Sequence, residues 1–129
     1  MKTIWTNGCF DVLHRGHIEL FKFAASLGDR LIVGIDCDWR VKKTKGDRRP
    51  VNNEKDRRFV LESIKFIDSV VMFETDSELR GIIYTFQPDH LVVGSDWKNK
   101  TVIGSEYAGS VVFFDRVGDY STTNILERQ

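Results

Sequence analysis

Asn7-Gly8-Cys9-Phe10-Asp11-Val12-Leu13-His14-Arg15-Gly16-His17 is the stretch whose reading decides the fold. It directly follows a short apolar run, Ile4 and Trp5, that reads as a first strand, and it ends where a helical pattern begins. His14, His17, Phe21 and Ala24 then fall at i, i+3, i+7 and i+10, a single stripe at helical spacing. Phe21 and Ala24 must face a sheet to be buried, so the two imidazoles point the same way, toward the sheet's carboxyl edge. In open α/β sheets that edge is where ligands bind. The N–H groups of the helix's first turn add an anion site. A pair of near-neutral-pKa donors above an anion hole points to phosphate chemistry. One histidine at a helix start is more often a cap or a packing residue; two of them with Gly16 at one strand–helix junction favour the functional reading.

Outward from this junction the elements alternate. Residues 2–7 read as strand, 15–27 as a helix ending at Gly28, and 30–36 as a buried strand followed by a polar, basic loop to Pro50. A helix follows from about 53 to 66, with Val60, Ile64 and Ile67 on one face. Residues 69–73 read as strand, 77–86 as helix and 89–94 as strand; a loop near 95–110 leads to a last strand at 111–114 and a closing helix from about 122. This cadence predicts an α/β domain spanning residues 1–129, with a Rossmann-like, doubly wound, parallel five-stranded sheet.

The 129 residues suffice for one domain with a real core, and the 41% hydrophobic share is ordinary for a globular chain. No run reaches the ~18 apolar residues needed to cross a bilayer, and Met1-Lys2-Thr3-Ile4-Trp5 lacks the apolar core of a secretory signal. Two cysteines, Cys9 and Cys37, make neither a disulfide framework nor a zinc spacing. A reducing cytoplasm and no membrane partner are therefore expected. Net charge is zero, yet nine basic and three acidic residues lie between Arg40 and Arg58, a local +6 that the rest of the chain balances. A nucleic-acid binder carries its excess over a whole face; one basic stretch on a neutral body suits a small polyanion such as a nucleotide. Neither G-x-G-x-x-G nor G-x-x-x-x-G-K-[ST] occurs, so phosphates would be held by histidines, basic side chains and helix ends.

The chain resembles the cytidylyltransferase-like nucleotidyltransferase superfamily, whose hallmark is H-x-G-H after the first strand. That element maps on His14 and His17 with Gly16 between them, and the preceding G-x-F-D on Gly8, Phe10 and Asp11, with Cys9 inside it. A loop lysine maps on Lys45, with Lys43 as a second candidate, and an arginine opening the next helix on Arg57. G-x-D-W maps on Gly94, Asp96 and Trp97, and R-x-x-x-x-S-T-T on Arg116, Ser121, Thr122 and Thr123. Two subgroups compete. Arg116 and Trp97 are similar to glycerol-3-phosphate cytidylyltransferase, the favoured reading. Val41 to Gly46, Arg49-Pro50-Val51-Asn52 and Tyr120 to Ile125 are similar to the adenylyltransferase of ADP-heptose synthesis. Ser95 departs from the G-D-D-W of the first, while Trp97 and Arg116 depart from the second.

The reaction implied is attack of an acceptor phosphate on the α-phosphorus of CTP or ATP, with pyrophosphate leaving. A phosphate monoester with a second pKa near ~6 is already largely a dianion at neutral pH and needs no strong base. Positioning and charge neutralisation remain as the catalytic work. The resemblance gives His14 and His17 the α/β-phosphate oxygens, as imidazolium donors favoured by the triphosphate's charge. It gives Lys45 the reacting phosphate, Arg57 and Lys43 the acceptor, and Arg116 with Ser121, Thr122 and Thr123 the outer phosphates. Gly8, Cys9, Phe10, Gly16, Gly94, Asp96 and Trp97 would frame the nucleotide. Asp11 would orient the loop or hold the Mg²⁺ that arrives with the triphosphate. For Lys42 and Lys43 a solvated charge is the competing reading, for Ser121 to Thr123 a plain helix cap, and His90 reads as structural. A homodimer follows from the resemblance. A nucleotide-binding module without turnover is the alternative from another class.

Overall fold

The computed structural model describes residues 1–115. The closing helix expected from about 122, together with Arg116, Ser121, Thr122 and Thr123, lies outside the described residues. The elements are β1 (Thr3–Gly8), α1 (Arg15–Ser26), β2 (Arg30–Asp36), α2 (Asp38–Lys45), α3 (Glu54–Glu62), β3 (Ser69–Phe73), α4 (Asp76–Phe86), β4 (His90–Gly94) and β5 (Ser110–Phe114). All strand pairings are parallel, in the order β3-β2-β1-β4-β5, so the chain winds outward from β1, returns across it and continues on the other side. This is the expected doubly wound sheet, with its topological switch point between β1 and β4.

Alternation along the strands divides the core between the two faces of the sheet. Ile4, Leu31, Val33, Ile35, Val70 and Val92 pack with Phe21 and Ala24 of α1 and with Leu61 of α3. On the opposite face Trp5, Ile32, Phe73 and Leu91 pack with Leu79 and Ile83 of α4. Gly34 is what admits Trp5: a Cβ there would stand 2.5 Å from the indole's Cζ2. The ring is fixed from its other end by Nε1 donating to Asn7 Oδ1 at 2.8 Å.

Two expectations need correction. The segment after β2 is not all loop, because Asp38–Lys45 forms a helix. Val41 is its buried residue, so the eight residues carry no apolar period that could announce them. The helix expected over about 53–66 ends at Glu62, and its buried residues are Arg57 and Leu61. Val60, expected inside, is instead 47% exposed, and Phe59 is 72% exposed.

Candidate active site at the switch point

The ladder between β1 and β2 runs over six register pairs, Thr3↔Arg30 to Gly8↔Ile35, whereas that between β1 and β4 has two, Ile4↔His90 and Trp5↔Leu91. Beyond Trp5 the Thr6 hydroxyl donates to the Val92 carbonyl at 2.8 Å in place of a ladder bond. The carboxyl ends of β1 and β4 therefore part, and a cleft of about 350 Å³ opens between them. Gly8, Cys9 and Phe10 line it from β1 and its loop, Asp36, Arg40 and Lys45 from β2 and α2, and Gly94 and Trp97 from the end of β4 and the turn after it. That volume is within the usual range for small-molecule sites.

Of the residues expected at the site, Gly8, Cys9, Phe10, Lys45, Gly94 and Trp97 line this cleft. Phe10 has φ +49°, a left-handed conformation that costs a bulky residue about 1–2 kcal/mol. Gly8 tolerates the ring that results, since a Cβ on it would meet Phe10 Cζ at 3.1 Å. Phe10 is thereby folded back over the strand end, edge-on to His17 and Phe21 with centroids 5.5 and 5.1 Å away. Burial pushes the Cys9 thiol pKa up, so this residue is a wall of the cleft rather than a nucleophile. Lys45 is the last residue of α2, not part of a loop, and it is exposed at the cleft.

His14 and His17 adjoin the cleft behind Phe10 rather than lining it. His14 is the N-cap of α1: its Nδ1 accepts from the Gly16 N–H at 3.0 Å, while His17 Nδ1 accepts from the His14 N–H at 3.2 Å. The two rings stack with centroids 3.9 Å apart. A backbone N–H can only donate, so each Nδ1 is the unprotonated nitrogen and each Nε2 carries the hydrogen. Burial lowers the His17 pKa to about 4, with repulsion from His14 and Lys45 adding to it. Of the first-turn N–H groups expected to form an anion site, that of Gly16 is engaged by the cap. The helix end thus reaches outward through an imidazole rather than through its own amide.

Asp11 and Arg57 turn out to be anchors. The Asp11 carboxylate, with a fully buried side chain, accepts from Arg49 Nε at 3.1 Å, the Val51 N–H at 2.6 Å and the Asn52 N–H at 2.7 Å. These bonds satisfy both oxygens, which favours the loop-orienting reading over the metal one. Among the described residues no group of three His, Cys, Asp or Glu is placed to hold a metal ion. Arg57, expected at the acceptor, is 1% exposed. Its guanidinium donates to the carbonyls of Asn52, Cys9 and Asp36 at 3.0, 2.9 and 2.7 Å, and to Asp38 Oδ1 at 2.8 Å. Leu61 on the same helical face draws it inward, and no apolar pattern distinguishes such a strut from a ligand. Lys43 lies outside the cleft, its ammonium 5.0 Å from the Trp39 ring. Asp96 sits in the exposed turn between Gly94 and Trp97 and does not line the cleft. His90 pairs with Ser110 across β4 and β5 at 2.6 Å, the structural role expected of it. Asp36 and Arg40 are the charged cleft residues that sequence reasoning missed. Their signal was the acidic end of a buried strand followed four residues later by a base.

A parallel sheet opened at its switch point, with an H-x-G-H pair beside the opening, defines a class of nucleotide-handling α/β domains. Comparison with known proteins makes this specific: the model of the cytidylyltransferase-like family matches residues 5–128, and the chain belongs to that family of nucleotidyltransferases. It is 47% identical over 127 residues to the bifunctional protein HldE of Helicobacter pylori (strain Shi470), covering 98% of this chain and 27% of that protein. To the HldE of Campylobacter fetus it is 46% identical over 125 residues, covering 97% and 27%. The chain thus spans about a quarter of the length of these relatives. Among solved structures, the lipopolysaccharide core biosynthesis protein of Thermoplasma volcanium superposes with a TM-score of 0.71 at 25% identity, covering 94% of this chain and 99% of that one. Pantothenate synthetase of Thermus thermophilus shares the fold, with a TM-score of 0.68 at 13% identity over 97% of this chain and 61% of its own.

Proposed function

We propose that this chain transfers AMP from ATP to heptose-1-phosphate, releasing pyrophosphate. The observation that carries the reading is the likeness to the HldE proteins over nearly the whole chain, which favours the heptose reading over glycerol-3-phosphate and CTP. It reverses the order suggested by Trp97 and Arg116. The likeness to a lipopolysaccharide core biosynthesis protein supports a sugar phosphate as acceptor.

In the proposed reaction an oxygen of the acceptor phosphate forms a bond to the α-phosphorus as the bond to the β-phosphate oxygen breaks. His14 and His17 donate Nε2–H bonds to α/β-phosphate oxygens. Such preorganised donors act where negative charge builds up in the transition state. Lys45 meets the reacting phosphate as a point charge, Mg²⁺ accompanies the triphosphate, and two copies of the chain form a homodimer. Arg116, Ser121, Thr122 and Thr123 belong to the outer phosphates in this reading. The test is pyrophosphate release, crossing ATP and CTP against heptose-1-phosphate and glycerol-3-phosphate. Turnover with ATP and heptose-1-phosphate, reduced ~100-fold or more in His17→Ala, is the expected result. Preference for CTP and glycerol-3-phosphate overturns it.

A further inference from the structure

The wall of the cleft on the β2 side carries a group that phosphate binding does not explain. Asp36 is the last residue of β2, one position beyond Ile35, which pairs with Gly8 of β1. Its carboxylate lines the cleft beside Lys45 with a side chain 17% exposed. A carboxylate in a site for polyanions repels them, and burial raises its pKa even though Arg40, Lys45 and Arg57 lie around it. It is held in place nonetheless: Arg40 Nε donates to Oδ1 at 3.1 Å, and the same guanidinium bonds Asp76 and lies 5.3 Å from the Phe73 ring. Arg40 is thus clamped by α4 and β3 as well, which makes it a scaffold for the carboxylate rather than a mobile phosphate ligand.

An ionised carboxylate only accepts hydrogen bonds, and each oxygen can accept more than one. The ligand groups that match it are hydroxyls, and two adjacent hydroxyls match it best. Two sources of such a diol exist in a nucleotidyl transfer, the ribose and the acceptor. The cleft is asymmetric in a way that separates them. Its β4 side offers Trp97, Val93 and Ile103, surfaces for a base and its ribose, while its β2 side offers Asp36, Arg40 and Lys45. We propose that Asp36 selects the acceptor: its carboxylate accepts hydrogen bonds from adjacent hydroxyls of a phosphorylated polyol whose phosphate lies toward Lys45. This rests on the transferase reading above, but not on which sugar phosphate is the acceptor.

The experiment measures kcat and KM for both substrates in wild type, Asp36→Ala and Asp36→Asn, using the acceptor and analogues lacking one hydroxyl. Losing a hydrogen bond to a charged group costs ~10-fold or more in affinity, so Asp36→Ala is expected to raise the acceptor's KM by that factor. The KM for ATP should stay within ~2-fold, and Asp36→Asn, which keeps an oxygen for the hydroxyl, should recover most of the loss. One deoxy analogue should be penalised in wild type and not further penalised in Asp36→Ala. Asp36→Ser, too short to reach, carries the same expectation if the alanine variant does not fold. An unchanged acceptor KM in an active variant overturns the proposal, as does a rise in the KM for ATP instead, which would assign the carboxylate to the ribose. Wild type silent with every phosphorylated polyol overturns the transferase reading itself, and this inference with it.

Discussion

At the scale of single residues, the histidine pair shows one interaction serving two ends. Each Nδ1 closes a backbone cap and in doing so leaves Nε2 as the donating nitrogen, so the cap and the direction of donation are set together. The cap also sets a pH response. His17 has a folded pKa of about 4 against an ordinary 6.5, so between those values the unfolded chain binds a proton that the folded one refuses. The stability this contributes is fully present above 6.5 and is lost as pH falls toward 4. Asp36, whose pKa is raised on folding, acts in the opposite sense, since its contribution is lost as pH rises. Denaturant melts of wild type and His17→Gln between pH 7 and 4 isolate the histidine's part: the wild type should lose stability more steeply than the variant. Parallel pH profiles would show that His17 is not buried neutral.

At the scale of elements, the register of β1 on β2 depends on a missing side chain. Gly34 lies opposite Asn7, and a methyl added there meets Trp5 at 2.5 and 2.8 Å. Trp5 is fully buried and anchored at Nε1, so it has nowhere to rotate. Gly34→Ala is therefore expected to destabilise the fold by about 1–3 kcal/mol, read as a lower urea midpoint with an unchanged slope. The strands and the first and last described helices were legible in the sequence because each is long enough to show its period: Phe21 with Ala24, and Leu79 with Ile83, recur at helical spacing. Helix α2 was not legible, since Val41 is its one buried residue. The site was half legible for a related reason. Strand-end positions such as Gly8 and Gly94 follow from topology, whereas Arg57 shares its helical face with Leu61 whether it binds a ligand or carbonyls.

At the scale of the whole molecule, a neutral chain with a local +6 segment concentrates its positive field near one side of the cleft. Ionic strength screens that field over ~8–10 Å at ordinary salt. Triphosphate affinity should fall several-fold between ~50 and ~500 mM salt, with little change in melting temperature. Titration of ATP into wild type and Lys45→Gln checks this, the variant being expected to show the flatter dependence; an affinity indifferent to salt would mean the segment does not face the ligand. The Arg57 anchor has a consequence for how such a molecule diversifies. Three of its four bonds go to main-chain carbonyls, those of Cys9, Asp36 and Asn52, and not to their side chains. A mutation at Cys9 or Asp36, which line the cleft, changes what it presents without cutting the tie that shapes it. Substrate preference can therefore drift by single substitutions while the junction of loop, strand and helix is inherited intact.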